Sequence, residues 1–384
     1  MRKTGALGIT IVLCAGCAVH HDTQIERLSQ FAPSAQDHVA LAADGEDRVL
    51  VTWDSRRQQG GFYGIQGRFL HADGTFASEE FTINTNVQGH QMHPAVCMNA
   101  DGEAWAAWTS WGQDGQEGGI VARWFDGFSW HDEVAVNVQR HGHQNEVVLS
   151  AGAGDTAMAV WTSPTEEGRR VHARLLHPDG ASGSEFDVST GSGHHASPSI
   201  ASIPGGWVIV WASRDDERFT VHAVEMTADG TVGEPRILAA DAIEPAIASN
   251  GQTVLATWLA RDPHGWQVQA QRLGIDDAPQ TIAAPTPGRW ISGAAAAVDP
   301  EGRCGVAWNI DKPVHEVHAR IAEPGGWFGE SILLGEGAHL ERARGTARLH
   351  MSGNGTLLAA GGGSAGDDRK AATLLATGRA GTAR

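Results

Sequence analysis

The chain has 384 residues, 41% hydrophobic and 19% charged, with a mean hydropathy of −0.25, which is the composition of a folded globular protein. Its 28 Lys and Arg against 45 Asp and Glu leave a net charge of −17, a surface that repels phosphate backbones, so no nucleic-acid partner is expected. Past the N-terminus no stretch holds the roughly 18 uninterrupted apolar residues that a membrane span needs, and 49 glycines suit an all-β chain rich in tight turns.

Met1-Arg2-Lys3 is a short basic start, and Gly5 to Leu13 is an apolar run ending in Leu13-Cys14-Ala15-Gly16-Cys17, the layout of a secretory signal peptide. The Ala15-Gly16-Cys17 ending resembles the lipobox of bacterial lipoproteins. By that resemblance residues 1–16 are removed, Cys17 carries the lipid on its thiol, and residues 17–23 form a short tether. Cys14 stands where the family has Leu, Val or Ile, and ordinary cleavage with free secretion is the alternative. Ala18 replaces the aspartate that resembles an inner-membrane retention signal, which implies an outer-membrane lipoprotein, periplasmic or surface-facing. Its contact with the membrane is expected through the N-terminal lipid alone, and several acyl chains make such an anchor stable. Cys97 and Cys304 fall at different places in different repeats, so they read as two buried thiols rather than a disulfide.

From residue 24 to 384 a single domain is expected, because one phrase keeps returning. Val49-Leu50-Val51-Thr52-Trp53-Asp54-Ser55 has later copies ending at Trp108, Trp161, Trp211, Trp258 and Trp308, at intervals of 47 to 55 residues, and a worn copy reaches Gly361. Within one repeat, Pro94 to Met98 predicts an inner strand A, closed by Asp101-Gly102. Ala104 to Trp108 is apolar at every position and predicts a strand B covered on both faces. Ile120 to Trp124 predicts strand C, and after the Asp126-Gly127 turn Glu133 to Asn137 predicts strand D. A four-stranded meander that is apolar on both faces needs a neighbour on each side, and a ring of such sheets supplies one. The expected fold is therefore an all-β β-propeller with the tryptophans packed between blades. Seven four-stranded blades are preferred over six, with Ile25 to Leu28 closing the ring as the last blade's strand D.

The unit Val-x-x-Trp-x-Ser … Val-x-Ala-Arg … Asp-Gly … Phe-x-Val-Asn … Pro-Ala-Val resembles repeats of bacterial secreted and surface proteins, best over Arg48 to Gly102. The resemblance implies an exported, propeller-like protein and brings no catalytic residues with it. The Asp-boxes of sialidases, WD and Kelch signatures and phosphate-binding loops are absent from the sequence.

The A–B and C–D links are tight, whereas the B–C and D–A links are long and varied, and all of the long ones emerge on one face. His90, His143, His194 and Asp241 occupy equivalent places before four successive A strands, a set of N and O donors that suits Zn²⁺ if neighbouring side chains converge. His93, His141 and His195, with Trp111, Trp266 and Trp290, are the expected ligand-binding face, an aromatic and polar rim for sugar rings or a protein. His172, His222 and His318 in strand C read as inter-blade packing. Glu146, Asp215, Asp216, Asp241, Glu244 and Asp262 supply carboxyls near that face, but no spacing singles out a catalytic pair. The leading expectation is thus a membrane-tethered, non-catalytic module that binds an extracytoplasmic protein or glycan. The alternative is a polysaccharide-active hydrolase or lyase at the channel mouth, metal-assisted through the histidines.

Overall fold

The computed structural model describes residues 25–29, 36–59, 62–113, 117–180, 183–216, 218–311, 316–336, 348–353, 356–364 and 371–379. The signal segment, the lipid-acceptor Cys17 and the tether lie outside them. Among the described residues the chain forms strands and no helix.

A short strand β1 (Ile25–Arg27) comes first, followed by an antiparallel meander of β2 (Gln36–Ala43), β3 (Val49–Gln59), β4 (Phe62–Leu70) and β5 (Phe81–Thr82). The second meander is β6 (Gln91–Met98), β7 (Ala104–Trp111), β8 (Gly118–Phe125) and β9 (Trp130–Ala135). The third is β10 (Asn145–Ala151), β11 (Ala157–Thr165), β12 (Gly168–Leu176) and β13 (Phe186–Asp187). The fourth is β14 (Gly193–Ile203), β15 (Gly206–Asp215), β16 (Arg218–Thr227) and β17 (Arg236–Ala240), joined to the third where Arg169 runs parallel to His194. The fifth is β18 (Ala242–Ser249), β19 (Val254–Asp262), β20 (Gly265–Arg272) and β21 (Gln280–Ala283). The sixth is β22 (Ile291–Val298), β23 (Cys304–Ile310), β24 (Glu316–Ala322) and β25 (Ile332–Glu336). The last consists of β26 (Arg348–Met351), β27 (Thr356–Ser364) and β28 (Ala371–Arg379), and its fourth strand is β1, with Ile25 opposite Ala376. Each inner strand touches the next inner strand, and β26 touches β2.

The second strand of each meander is mostly apolar up to its tryptophan because both of its faces are covered: every residue of β23 is buried, and so are the first seven of β7. The repeated tryptophans are the largest buried side chains and pack on the meander that precedes them. Trp161 shares a core with Ile120 and Val136, Trp211 with Val171 and Val188, and Trp308 with Leu259 and Ile282. Trp53 of the first meander packs on Leu358 and Ala360 of the last. Removing roughly 200 Å² of indole from water contributes at most about 5 kcal/mol per site. His172, His222 and His318 stand opposite these tryptophans and stack on them at 6.1, 5.2 and 5.6 Å, the packing role expected for them. Cys97 and Cys304 are free and buried, and burial pushes their thiols up to about 12 and about 11.

Two polar repeats tie neighbours together. Arg68, Arg123 and Arg174, at one place in their C strands, each donate Nη1 to a carbonyl beside the previous outer strand, those of Leu28, Ile83 and Val136. Leu28, just after β1, thus serves the first meander as Ile83 serves the second. At the tight-turn end Arg303 donates to the Gly353 carbonyl at 2.9 Å, and the Gly353 N–H donates to Asp47 of the first meander at 3.2 Å.

Candidate active site at the bulged ends of the inner strands

Six successive inner strands open with a β-bulge, and each bulge holds one residue in the left-handed region. These residues are His38 (φ 41°), His93 (φ 57°), Glu146 (φ 56°), Ser197 (φ 52°), Glu244 (φ 50°) and Gly293 (φ 56°). Gly293 adopts this conformation without steric cost, whereas each of the other five carries strain on the order of 1 kcal/mol or more. Strained non-glycine residues concentrate at functional sites, where the surrounding structure over-determines them. Five in register at one end of the molecule mark that end as the place to look for chemistry.

Carboxylates cap alternate bulges. Asp54, fully buried beside Trp53, receives the His93 backbone N–H at 3.0 Å and pairs with His38 Nδ1 at 2.8 Å. The His38 and His93 rings lie 3.9 Å apart. Loss of solvent, together with the neighbouring His38, pulls His93 down to about 4 even though Asp54 opposes the shift. Two meanders on, Glu146 Oε2 accepts the Ser197 N–H at 3.0 Å and the Thr162 hydroxyl at 3.3 Å. Arg169 donates to the same Thr162 oxygen at 2.8 Å, and burial holds its guanidinium below the usual range.

The third carboxyl differs from the others. Glu244 Oε2 accepts the Gly293 N–H at 3.0 Å, a bond that favours the charged form. Burial nevertheless raises the Glu244 carboxyl above the usual range, and the negative Asp311 of the next meander pushes it the same way. The Asp311 N–H donates to the Trp290 carbonyl at 2.8 Å, and the Trp290 indole is 64% exposed. A carboxyl raised by burial and a second carboxyl close enough to act on it thus lie across the fifth and sixth meanders, with the main chain of Trp290 bonded to that of Asp311.

His90, His143, His194 and Asp241 do sit in register, three residues before their bulges, but they do not converge as a Zn²⁺ site would require. Main-chain bonds pin two of them to their own sheets: the His90 carbonyl accepts the Trp111 N–H at 2.9 Å and the Asp241 carbonyl the Arg261 N–H at 2.7 Å. The side chains then turn to local partners. The His90 ring lies 5.3 Å from Phe62, the His143 ring stacks 4.5 Å from Trp111, and His194 and Asp241 are exposed. Among the described residues no three His, Cys, Asp or Glu are placed to hold a metal ion.

The expected rim divides in the same way. His141, Trp111 and Trp290 are exposed, and Trp266 is half-buried beneath Arg261 at 5.4 Å. His93 is held in the Asp54 cluster and His195 is buried against Trp211, so neither forms an open surface. Sequence reasoning missed His38 and Asp54 and left Glu146 and Glu244 unsorted. Their signal was position: His93, Glu146, Ser197 and Glu244 each stand immediately before the Pro or Val that starts an inner strand.

No protein-family model and no curated protein matches the sequence. Solved structures do match over most of the chain. A protein of unknown function from Dyadobacter fermentans is 12% identical with a TM-score of 0.52, covering 80% of this chain and 97% of its own. The β-propeller domain of the trilobed protease from Pyrococcus furiosus is 11% identical with a TM-score of 0.51, covering 90% and 94%. The GH93 α-L-arabinofuranosidase of Fusarium graminearum, solved with arabinobiose, is 11% identical with a TM-score of 0.52, covering 90% and 93%. At such identities the likeness establishes the fold, and the chain is a β-propeller. It also overturns the expectation of a non-catalytic binding module. That expectation rested on missing sequence motifs, and a propeller matching nine-tenths of this chain is a glycosidase.

Proposed function

We propose that the chain is a glycoside hydrolase-like β-propeller of seven four-stranded blades, closed by β1, that acts on a polysaccharide at the bulged end of its inner strands. Three observations favour seven blades and closure: β1 pairs with β28, Arg68 uses Leu28 as Arg123 uses Ile83, and Gly353 meets Asp47. The glycosidase reading is carried by Glu244. Hydrolysis of a glycosidic bond needs a carboxyl that is still protonated near neutrality and a second one that is charged, set apart by their environments. Glu244 has its pKa raised by burial and by Asp311, which supplies the second carboxyl. In this reading Glu244 gives its proton to the leaving sugar oxygen while Asp311 activates water or stabilises the developing positive charge. Trp290 offers the sugar ring an exposed apolar face. An export segment with a lipid-acceptor Cys17 suits an enzyme whose polymer lies outside the cytoplasm.

The test is reducing-sugar release by the full chain from arabinan, arabino-oligosaccharides and a panel of other neutral polysaccharides. Activity on at least one is expected, and Glu244→Gln should lower kcat by about 10²–10⁴-fold, the usual worth of a general acid, with Tm maintained. A wild-type chain inactive on the whole panel, or a Glu244→Gln variant at full rate, overturns the reading.

A further inference from the structure

The sixth meander carries an arginine at the place that Arg68, Arg123 and Arg174 hold in the first three, where the fourth and fifth have Val224 and Gln271. Arg68, Arg123 and Arg174 each close their seam with two donors, Nη1 on the preceding meander and Nε on a carbonyl of their own C–D link or outer strand, those of Ser78, His131 and Gly183. Arg320 holds the same place in β24, two residues past the partner of the repeated tryptophan. Its Nε is buried with no hydrogen-bond partner among the described residues. In place of the closed seam there is a groove of about 860 Å³, which Arg320 lines.

A second arginine shares the groove. Arg272 is only 5% exposed and is clamped to Asp276 through Nε at 3.1 Å and Nη2 at 2.9 Å, yet its Nη1 is buried and unbonded. Leaving a buried donor unpaired costs about 1–3 kcal/mol, and natural structures leave few such groups without a reason. Both arginines line one groove from different meanders. Asp277 lines the groove as well, and Trp327, 80% exposed, stands at its side.

The chemistry narrows the occupant. Two arginines and two aspartates cancel locally, and the chain as a whole carries −17, so nothing here gathers an anion. Hydroxyl groups fit better, since each accepts from a guanidinium and donates to a carboxylate. The exposed indole offers the flat apolar face on which a sugar ring lies. We infer that this groove is a second glycan site, holding a segment of neutral polysaccharide by stacking on Trp327 and by hydrogen bonds to the charged side chains that line it. It is formed by C–D links and so lies at the tight-turn end, away from Glu244. It stands apart from the catalytic reading and would keep the protein on a polymer while the other end works.

Affinity electrophoresis of the full chain through gels containing arabinan, galactan or dextran, with polygalacturonate as the anionic counterpart, tests the site. At least one neutral polymer should retard the chain. Trp327→Ala and Arg320→Gln should each raise the apparent Kd at least tenfold. Trp327→Ala is decisive even if Arg320→Gln destabilises the fold, because the indole is mostly exposed. Failure of every neutral polymer to retard the chain, retardation that survives Trp327→Ala, or retardation by polygalacturonate alone each overturns the proposal. A chain that is retarded but inactive would instead sink only the catalytic reading.

Discussion

The two ends of the inner strands are built to different rules. At the tight-turn end charged pairs hold two of the turns, Asp44 with Arg48 and Asp299 with Arg303, each across four residues, and neighbouring turns are stitched by side chain-to-carbonyl bonds. At the bulged end the backbone recurs faithfully, but the side chain on it changes from His to Glu to Ser to Gly. Repetition of both backbone and side chain is what packing alone requires. Repetition of the backbone with free variation of the side chain is a scaffold offering different groups in equivalent positions.

Substitutions at the two ends should therefore fail in different ways. The largest stability loss is expected at the tight-turn end. Asp299 is fully buried, and Asp299→Ala removes the main partner of the half-buried Arg303, which keeps only the Gly353 carbonyl and Glu301, at a cost of about 2–3 kcal/mol. Denaturant unfolding measures this loss, while kcat/KM of the remaining folded fraction should stay at the wild-type value. A loss of activity beyond the folded fraction would break the separation between the two ends.

A pH effect of similar size belongs to the bulged end. The folded state holds His93 down at about 4, whereas the unfolded chain takes the proton near 6.5. Stability from this group is thus intact above about 6.5 and is lost as pH falls towards 4, in total about 3 kcal/mol. His93→Gln should remove that slope between pH 6.5 and 4, and an unchanged slope would place the loss elsewhere.

Glu244 has the opposite sign. Its raised pKa means that the folded state prefers the protonated form, so its contribution is present at low pH and is lost as pH rises through the folded value. Glu244→Gln, which stays neutral, should then raise Tm at pH 8 but not at pH 4, the same variant that silences hydrolysis. A gain in stability accompanied by loss of activity is what an active-site carboxyl gives. A loss of stability at pH 8 would argue that Glu244 is merely structural.

The smallest effect tests the strain itself. Ser197→Gly relieves a non-glycine residue at φ 52° and should be neutral or stabilising by up to about 1 kcal/mol. Ala201→Gly, further along the same strand in extended backbone, should destabilise by a similar amount. Equal destabilisation by both would show that the bulge is unstrained.

The fold was legible because the residues that write it act locally. Trp108 ends an unbroken apolar strand, Asp101-Gly102 can only turn, and Ile25 to Arg27 stands where a missing outer strand was needed. The site was half legible. Counting back from each inner strand placed His90, His143, His194 and Asp241 correctly in register, yet register around an arc is not proximity, and main-chain anchoring spread them apart. Asp54 was hidden by its neighbour, since beside Trp53 it reads as part of the packing phrase. Only the pairing of β2 with β3 reveals that it faces His38 and His93. Glu244 was hidden in the opposite way, as one acid among many, because its protonation depends on burial that no spacing reports.

The pairing of β1 with β28 also sets a clock. Ile25 and Ala376 are neighbours in the sheet but stand some 350 positions apart in the chain, so the last sheet cannot be completed until nearly everything between them has been made. At ribosomal rates of about 5–20 residues per second, that interval is roughly 20–70 s. During it the first strand has no partner and the later edges stay open. Completion of the sheet is thus tied to the arrival of the last strand rather than to the first hydrophobic contact.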